Sequence, residues 1–387
     1  LAGILTIYLA LGAVYSVSIP VFESPDESFH FFVVKHIVDH RSLPVQRAET
    51  RGLWEQEGSQ PPLYYMAGAL LVSWIDLSDA EALLWHNPQA NIGDPLNPGN
   101  KNVFVHPPEQ DWPWRRAVLA VHVLRFTSLA LGAATVVLVW LLVRLVFPRT
   151  GTLASQGLLA PVIAGLVAFI PQFLFITSAV NNDNLMTCLG TLSLFLLLLC
   201  LRDGTRESSG ACRLRAGGAW VLWAGAGVVL GLAMLSKLSA LVLLGLAGLV
   251  IALVAWYHRS WRLAWRLVGL VYLPALIISG WWYVRNAVLY GDPTGLTAMW
   301  DVVGRREDFG AELWGEFRGL RYSFWGLFGW FSIAMPAWVY RLLDVLSLLS
   351  LTGLVLAVGR WLQWGLWRGA RSAFRYREPG WGAAYRP

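Results

Sequence analysis

Charge is scarce in this chain. Only 14% of its 387 residues are Asp, Glu, Lys or Arg, against 56% hydrophobic residues and a mean hydropathy of +0.52. That balance excludes a soluble enzyme. Cysteine is nearly absent: Cys188 and Cys200 share one predicted helix and Cys212 lies in a loop. None falls in the long hydrophilic segment 21–120, so disulfides do not hold that segment together. There is no initiator methionine and Leu1 already lies inside an apolar run, so a short cytoplasmic lead is expected ahead of it. The first run lacks a small-residue cleavage pattern, which argues against a signal peptide. No internal repeat and no low-complexity linker is visible, and the apolar runs contain essentially no acidic residue.

What the chain has instead is long apolar stretches. A run of about 20 such residues crosses a bilayer core roughly 30 Å thick. Eight candidate spans stand near 1–20, 121–147, 158–179, 184–201, 218–235, 238–257, 267–284 and 339–358. The apolar stretch from Ala219 to Tyr257 is too long for one crossing at about 1.5 Å per residue, so it must fold back near Ser236 and Lys237. The expected fold is an all-α polytopic membrane protein, a bundle of about eight transmembrane helices.

The net charge of +6 is dominated by arginine, and the arginines cluster. Arg202, Arg206, Arg213 and Arg215 follow the fourth span, Arg259, Arg262 and Arg266 the sixth, and Arg360, Arg368, Arg371, Arg375 and Arg377 the eighth. By the positive-inside rule the even spans end in the cytoplasm, and the segments after spans one, three, five and seven face outside. Two of those are long: 21–120, more acidic than basic, and 285–338, rich in tryptophan. Arg305, Arg306, Arg318 and Arg321 in the second do not contradict the rule, which counts mainly short loops. Within the first, SPDESFHFFVVKHIVDH and QPPLYYMAGALLVSWI read as two helices on the membrane surface. The segment 359–387 reads as a basic, tryptophan-rich cytoplasmic tail.

In this orientation the distinctive polar groups emerge on one side: Asp26, Glu27, His30 and Gln60; Asn181, Asn182, Asp183 and Asn184; Lys237; Arg285 and Asn286. Each has a plain alternative. Ser24-Pro25-Asp26-Glu27 is a well-formed helix start, with Ser24 as N-cap and Glu27 as its capping-box partner. It is equally a face on which Asp26, Glu27 and His30 could hold a divalent cation or a substrate hydroxyl. The NNDN run is either a polar turn or part of a site shared with Asp26. Lys237 and Arg285 either snorkel to headgroups or bind a phosphate, Arg as a fork and Lys as a point charge. The tryptophans of RYSFWGLFGWF either belong to an interfacial belt or pack on a sugar ring or isoprenoid chain.

The stretches FESPDESFHFF, QPPLYY, PQFLFITSAVNNDN, GLAMLSKLSAL, WWYVRNAVLYGDP and SFWGLFGWFSIAMPAWVY, in this order over residues 1–358, resemble the GT-C glycosyltransferase superfamily. Within that superfamily they resemble the bacterial branch related to protein O-mannosyltransferases and the lipid A aminoarabinose transferase. The resemblance implies a GT-C-like catalytic module over 1–358 in a bacterial plasma membrane, working on its extracytoplasmic side. It also implies a polyprenyl-phosphate-linked sugar donor and an extracytoplasmic glycan, lipid or protein acceptor. It implies an essential acidic residue at Asp26 with Glu27 beside it, and a second acidic position at Asp183. QPPLYY matches a family stretch in which many members carry histidine at the place of Gln60. Expected substrate contacts are His30, Gln60, Tyr64, Asn182, Lys237, Arg285 and Asn286. A divalent Mg, Mn or Ca ion at Asp26 and Asp183 is a possible cofactor; the lipid bilayer is a partner and nucleic acid is not. The rival functions are a transporter or flippase of a lipid-linked sugar, which would carry ionisable groups at mid-bilayer depth and broken helices in repeated halves, and a non-catalytic envelope scaffold.

Overall fold

The computed structural model describes residues 1–49, 51–147, 153–205, 217–305 and 313–375. Arg206, Arg213, Arg215, Cys212, Arg306 and Arg377 lie outside the described residues, as do the side chains of Arg368, Arg371 and Arg375. The chain divides into two units, Leu1–Ala334 and Met335–Pro387.

In the first unit, α1 (Ala2–Ser18) leads through the SPDE segment into α2 (Glu27–His40). A short 3₁₀ turn, Glu55–Ser59, precedes α3 (Leu63–Val72). Then come α4 (Arg116–Val146), α5 (Leu153–Ala168), α6 (Pro171–Thr177) and α7 (Asp183–Gly204). The helices α8 (Gly217–Met234), α9 (Leu241–Tyr257) and α10 (Trp261–Tyr290) follow, then α11 (Leu296–Val303) and α12 (Leu313–Trp325). Strands β1 (Leu327–Phe328) and β2 (Ile333–Ala334) pair antiparallel. The second unit holds α13 (Ala337–Arg375), which runs on past the expected span end at 358. The architecture is all-α and polytopic, as the apolar runs require.

Helices stand at all eight expected spans, but by length and composition five among the described residues can cross a membrane. A sixth is possible if α5 and α6 form one bent span; Ala2–Ser18 and Ala219–Met234 are shorter apolar helices. The expected third span, 158–179, is therefore not straight: its halves meet at 64°. Pro171 supplies the reason. A proline disfavours helical backbone in the residue before it, and Ile170 is extended at φ −62°, ψ 121°. Pro171 then opens the next helix, where its missing N–H costs nothing.

Three apolar cores hold the first unit. α2, α3 and the start of α4 bury Phe31, Val34, Tyr65, Val72, Val121 and Leu124 together. α1, α4, α5 and α6 pack around Tyr8, Leu129 and Ala164. The third core gathers α7 to α10. There α8 and α10 approach at two glycines one turn apart, the small-residue spacing that lets helix backbones meet. A Cβ on Gly227 would fall on the carbonyl oxygen of Val271, and one on Gly231 would sit 2.9 Å from that of Ala275. This contact fixes the end of α8, and hence Lys237, beside the end of α10. The α9–α10 turn, with Arg259, Arg262 and Arg266, lies at the opposite end of these helices. There His258 Nε2 meets the Gly204 carbonyl at 2.6 Å.

Candidate active site

The SPDE segment is organised by an ion pair and not by a capping box. Asp26, not Ser24, is the residue ahead of α2, and it makes no side-chain cap. Glu27 turns inward and receives both arms of Arg125, Nε at 2.7 Å and Nη2 at 2.6 Å, with neither side chain exposed. The same carboxylate accepts the backbone amides of Phe22 (3.0 Å) and Val180 (2.9 Å). The rest of the guanidinium donates to the carbonyls of Ser16, Ile19 and Pro20. A buried charge is tolerated when it is paired and its remaining lone pairs are satisfied, and here four donors reach one carboxylate. Glu27 thus ties the end of α1, the first loop and the α6–α7 turn to α4. It is closed to substrate, which corrects the expectation that it works beside Asp26.

The segment leading into this clamp has unusual backbone. Phe22 has φ +68° and Asp26 φ +57°. Asp visits this left-handed region more readily than most residues, whereas a bulky aromatic there is strained. Such strain persists where the surroundings over-determine it. The Phe22 carbonyl accepts Trp330 Nε1 at 2.9 Å, and Trp330 stands edge-on to Phe29 at 5.6 Å. At least this tryptophan of the GLFGWF stretch is committed to holding the loop.

The inverted backbone turns Asp26 away from Glu27 and toward a second group. Its Oδ1 accepts Gln56 Nε2 at 3.3 Å, and it feels the charges of both Lys237 and Asp183. Behind it, Glu57 Oε2 accepts the Tyr65 hydroxyl at 3.0 Å and lies 3.4 Å from His30 Nδ1. Tyr65 Oη also meets His30 Nδ1 at 2.9 Å and receives Asn182 Nδ2 at 3.2 Å. With the single hydroxyl proton given to Glu57, His30 Nδ1 is the donor to Tyr65. On the outer side, Lys237 Nζ donates to Asp183 Oδ1 at 2.6 Å. Asp183 and Lys237 are the accessible members, at 47% and 27% side-chain exposure, while Glu57 and His30 are nearly enclosed at 8% and 4%.

Burial sets the protonation of this cluster. It raises the Asp26 carboxyl, with the Gln56 hydrogen bond and Lys237 opposing it. It pushes Glu57 up to about 7, helped by the negative charge of Asp26, and His30 down to about 3, helped by the positive charge of Lys237. Near neutral pH, His30 is uncharged and Glu57 is poised between its two forms, a state suited to proton transfer.

The other expected residues fare variously. NNDN forms a hydrogen-bonded turn: Asn184 Nδ2 donates to the carbonyls of Ile176 and Ala179, and Asn181 Oδ1 accepts the Asp183 amide. Asn182 and Asp183 face the cluster. Tyr64 is buried, its hydroxyl 3.1 Å from Ser128 Oγ and accepting the Asn181 amide at 3.1 Å. Gln60 uses its backbone amide to close the turn on the Glu57 carbonyl. Arg285 donates to the Pro44 carbonyl at 2.8 Å and lies over the Trp282 ring at 4.8 Å, with Asn286 buried beside it. Arg285 thereby braces the 44–60 segment that carries Gln56 and Glu57, while Asn286 Nδ2 is buried without a hydrogen-bond partner among the described residues. Sequence reasoning missed Glu57 and Arg125. Nothing in EQEG separates Glu57 from Glu55, and Arg125 is a lone arginine in an apolar run with no motif around it.

Among the described residues no group of three or more His, Cys, Asp or Glu side chains is gathered to hold a metal ion. Asp183 already neutralises a cation, Lys237. The residues present do not fit the expected ion at Asp26 and Asp183.

No protein-family model and no curated protein matches the chain. Solved structures do. Over 74% of its length it is similar to the S. cerevisiae protein O-mannosyltransferase Pmt1–Pmt2 complex bound to the sugar donor, at 14% identity and a TM-score of 0.43. Over 100% it is similar to the apo form of the Archaeoglobus fulgidus oligosaccharyltransferase, at 15% identity and a TM-score of 0.44. The chain spans 33% of the first protein and 40% of the second. At that identity and overlap the likeness assigns no residue and no substrate.

Proposed function

We propose that the chain transfers a sugar from a polyprenyl-phosphate-linked donor to a hydroxyl-bearing acceptor on the extracytoplasmic side of a bacterial plasma membrane. The observation that carries this reading is the placement of Asp26, aimed by its left-handed backbone at a cluster holding a buried carboxylate behind it and a lysine in front. The motif order along the sequence points the same way.

In this reading the acceptor hydroxyl sits against Asp26, which takes its proton as the oxygen attacks the anomeric carbon. The bond from that carbon to the phosphate oxygen breaks, and the electron pair leaves with the polyprenyl phosphate. Lys237 faces the growing negative charge, and Asp183 holds the ammonium in place. A single displacement inverts the anomeric centre. Asn182 Oδ1, buried and without a partner among the described residues, offers an acceptor for a substrate hydroxyl. Glu57 gives the proton on Asp26 a neighbour of adjustable charge. Arg285, engaged at Pro44 and Trp282, acts on the site through the 44–60 segment and not on the phosphate.

The test is transfer by Asp26→Asn in proteoliposomes supplied with a panel of polyprenyl-phosphate sugars and hydroxyl acceptors. Loss of a positioned base costs about 10²–10⁴-fold. Full activity in a correctly inserted variant overturns the proposal, and sugar-lipid flux without covalent transfer would establish the transporter reading in its place.

A further inference from the structure

Far from the carboxylate cluster, at the α9–α10 turn, the two helices part to leave a groove of about 520 Å³. Its walls are Gly248, Ile251, Ala252 and Ala255 on α9 and Ala264, Val268 and Tyr272 on α10. Trp256, Trp261, Trp265, Arg259 and Ser260 line its mouth. The deep end exists because residue 248 is glycine: a Cβ there would stand 3.0 Å from Tyr272 Oη, which is fixed by its 2.7 Å bond to the Leu244 carbonyl. At the mouth, Arg259 has left-handed backbone at φ +48°, uncommon for a residue with a side chain.

We infer that this groove holds one anionic glycerophospholipid, with an acyl chain between α9 and α10 and its phosphate at Arg259 and Ser260. Three observations select this occupant. The first is length: each wall runs about eleven residues from the mouth, roughly 16 Å at helical rise, and one leaflet's hydrocarbon is about 15 Å, half the core thickness. The second is the exposed ring of Trp256, Trp261 and Trp265, the side chains that sit at headgroup level. The third is charge complementarity. Arg262 and Arg266 lie beyond Arg259 on the exposed start of α10, and none of the described residues lining the groove is acidic. A guanidinium pairs with a phosphate through two parallel hydrogen bonds, whereas a zwitterionic headgroup brings its own cation to the same place. The volume lies within the range of roughly 300–1,000 Å³ of small-molecule sites.

The site is independent of sugar transfer, and so is its test. The purified, delipidated full chain in detergent is melted with added phosphatidylglycerol or with phosphatidylcholine of the same acyl chains. Phosphatidylglycerol is expected to raise the melting temperature more, by an amount that shrinks with salt. Arg259→Gln is expected to weaken its apparent affinity about fivefold, the worth of one cation near an anionic headgroup. Ala252→Trp fills the groove and is expected to abolish the response to both lipids. A diazirine-bearing phosphatidylglycerol, used on the unmodified protein, is expected to label peptides within 248–272. Equal responses to the two lipids, an unchanged affinity in Arg259→Gln, or labelling confined to other helices would each overturn the inference. So would finding two copies of the chain joined through α9 and α10, with this segment protected from the probe.

Discussion

Replacing both partners of the Glu27–Arg125 pair separates a structural carboxylate from a catalytic one. In Glu27→Met the guanidinium of Arg125 stays buried with its counter-charge gone, a loss of about 3–5 kcal/mol for a pair of this kind. The amides of Phe22 and Val180 lose their acceptor as well, each adding about 1–3 kcal/mol where no water replaces it. At the roughly 2–4 °C per kcal/mol of larger domains, the single variant should melt at least about 10 °C below the parent. Glu27→Met/Arg125→Met removes both charges and fills the space with apolar side chains of similar length, which for buried pairs elsewhere is neutral or better. It still leaves those amides and the carbonyls of Ser16, Ile19 and Pro20 unpaired. The double variant is therefore expected to recover about half of the lost melting temperature and to transfer sugar when assayed below its melting point. Melting followed by tryptophan fluorescence in detergent, with transfer measured on the same sample, reads both quantities. A double variant that melts like the parent and is inactive would refute the structural role given to Glu27.

Other outcomes follow from the same geometry. Lys237→Ala should reduce transfer by about 10²-fold or more, as loss of a preorganised charge does elsewhere, with little change in melting because the ion pair is partly exposed; a parent-like rate would remove lysine from the leaving-group role. Glu57 and His30 act oppositely on stability. Glu57, raised from 4.5 to about 7, binds more protons folded than unfolded in that window, so it contributes stability that is lost as pH rises through it. His30, lowered from 6.5 to about 3, binds fewer protons when folded, so it contributes stability that is lost as pH falls through that window. Between about pH 4.5 and 6.5 the contributions of these two groups to the melting temperature should therefore nearly cancel. Glu57→Gln should melt higher than the parent at pH 8, and an unchanged or lower value there contradicts the burial argument. Gly227→Val should lower the melting temperature by forcing α8 off the Val271 carbonyl, an overpacking cost of about 1–3 kcal/mol; a parent-like melt would mean the helices are not in that contact.

The helices were legible because bilayer-length apolar runs leave the backbone little choice, and the fold-back near Lys237 followed from length alone. The break at Ile170–Pro171 was not anticipated in the span 158–179, although a proline acts on its predecessor whatever surrounds it. The site was legible only by region. Asp26, His30, Asn182, Asp183 and Lys237 meet as their shared side of the bundle suggested. Glu27 was misread because capping is a local rule, and this carboxylate answers to an arginine 98 positions away. Glu57 was overlooked because its character comes from burial by Tyr65 and His30, not from its neighbours in sequence. Arg285 carries the chemistry expected of a phosphate ligand, but the Pro44 carbonyl claims it. Residue type named the candidates, and tertiary contacts chose among them.

Arg125 has a consequence for biogenesis. It belongs to α4, the helix that leaves the ribosome after the entire first extramembrane segment has been made. Until α4 is inserted, the turn bearing Asp26 has no guanidinium to close around, and Val180, which completes the clamp, is synthesised later still. The nascent protein therefore carries an unformed clamp until the α6–α7 turn has been made. The clamp closes in two steps, first by the Arg125 side chain and then by the Val180 amide.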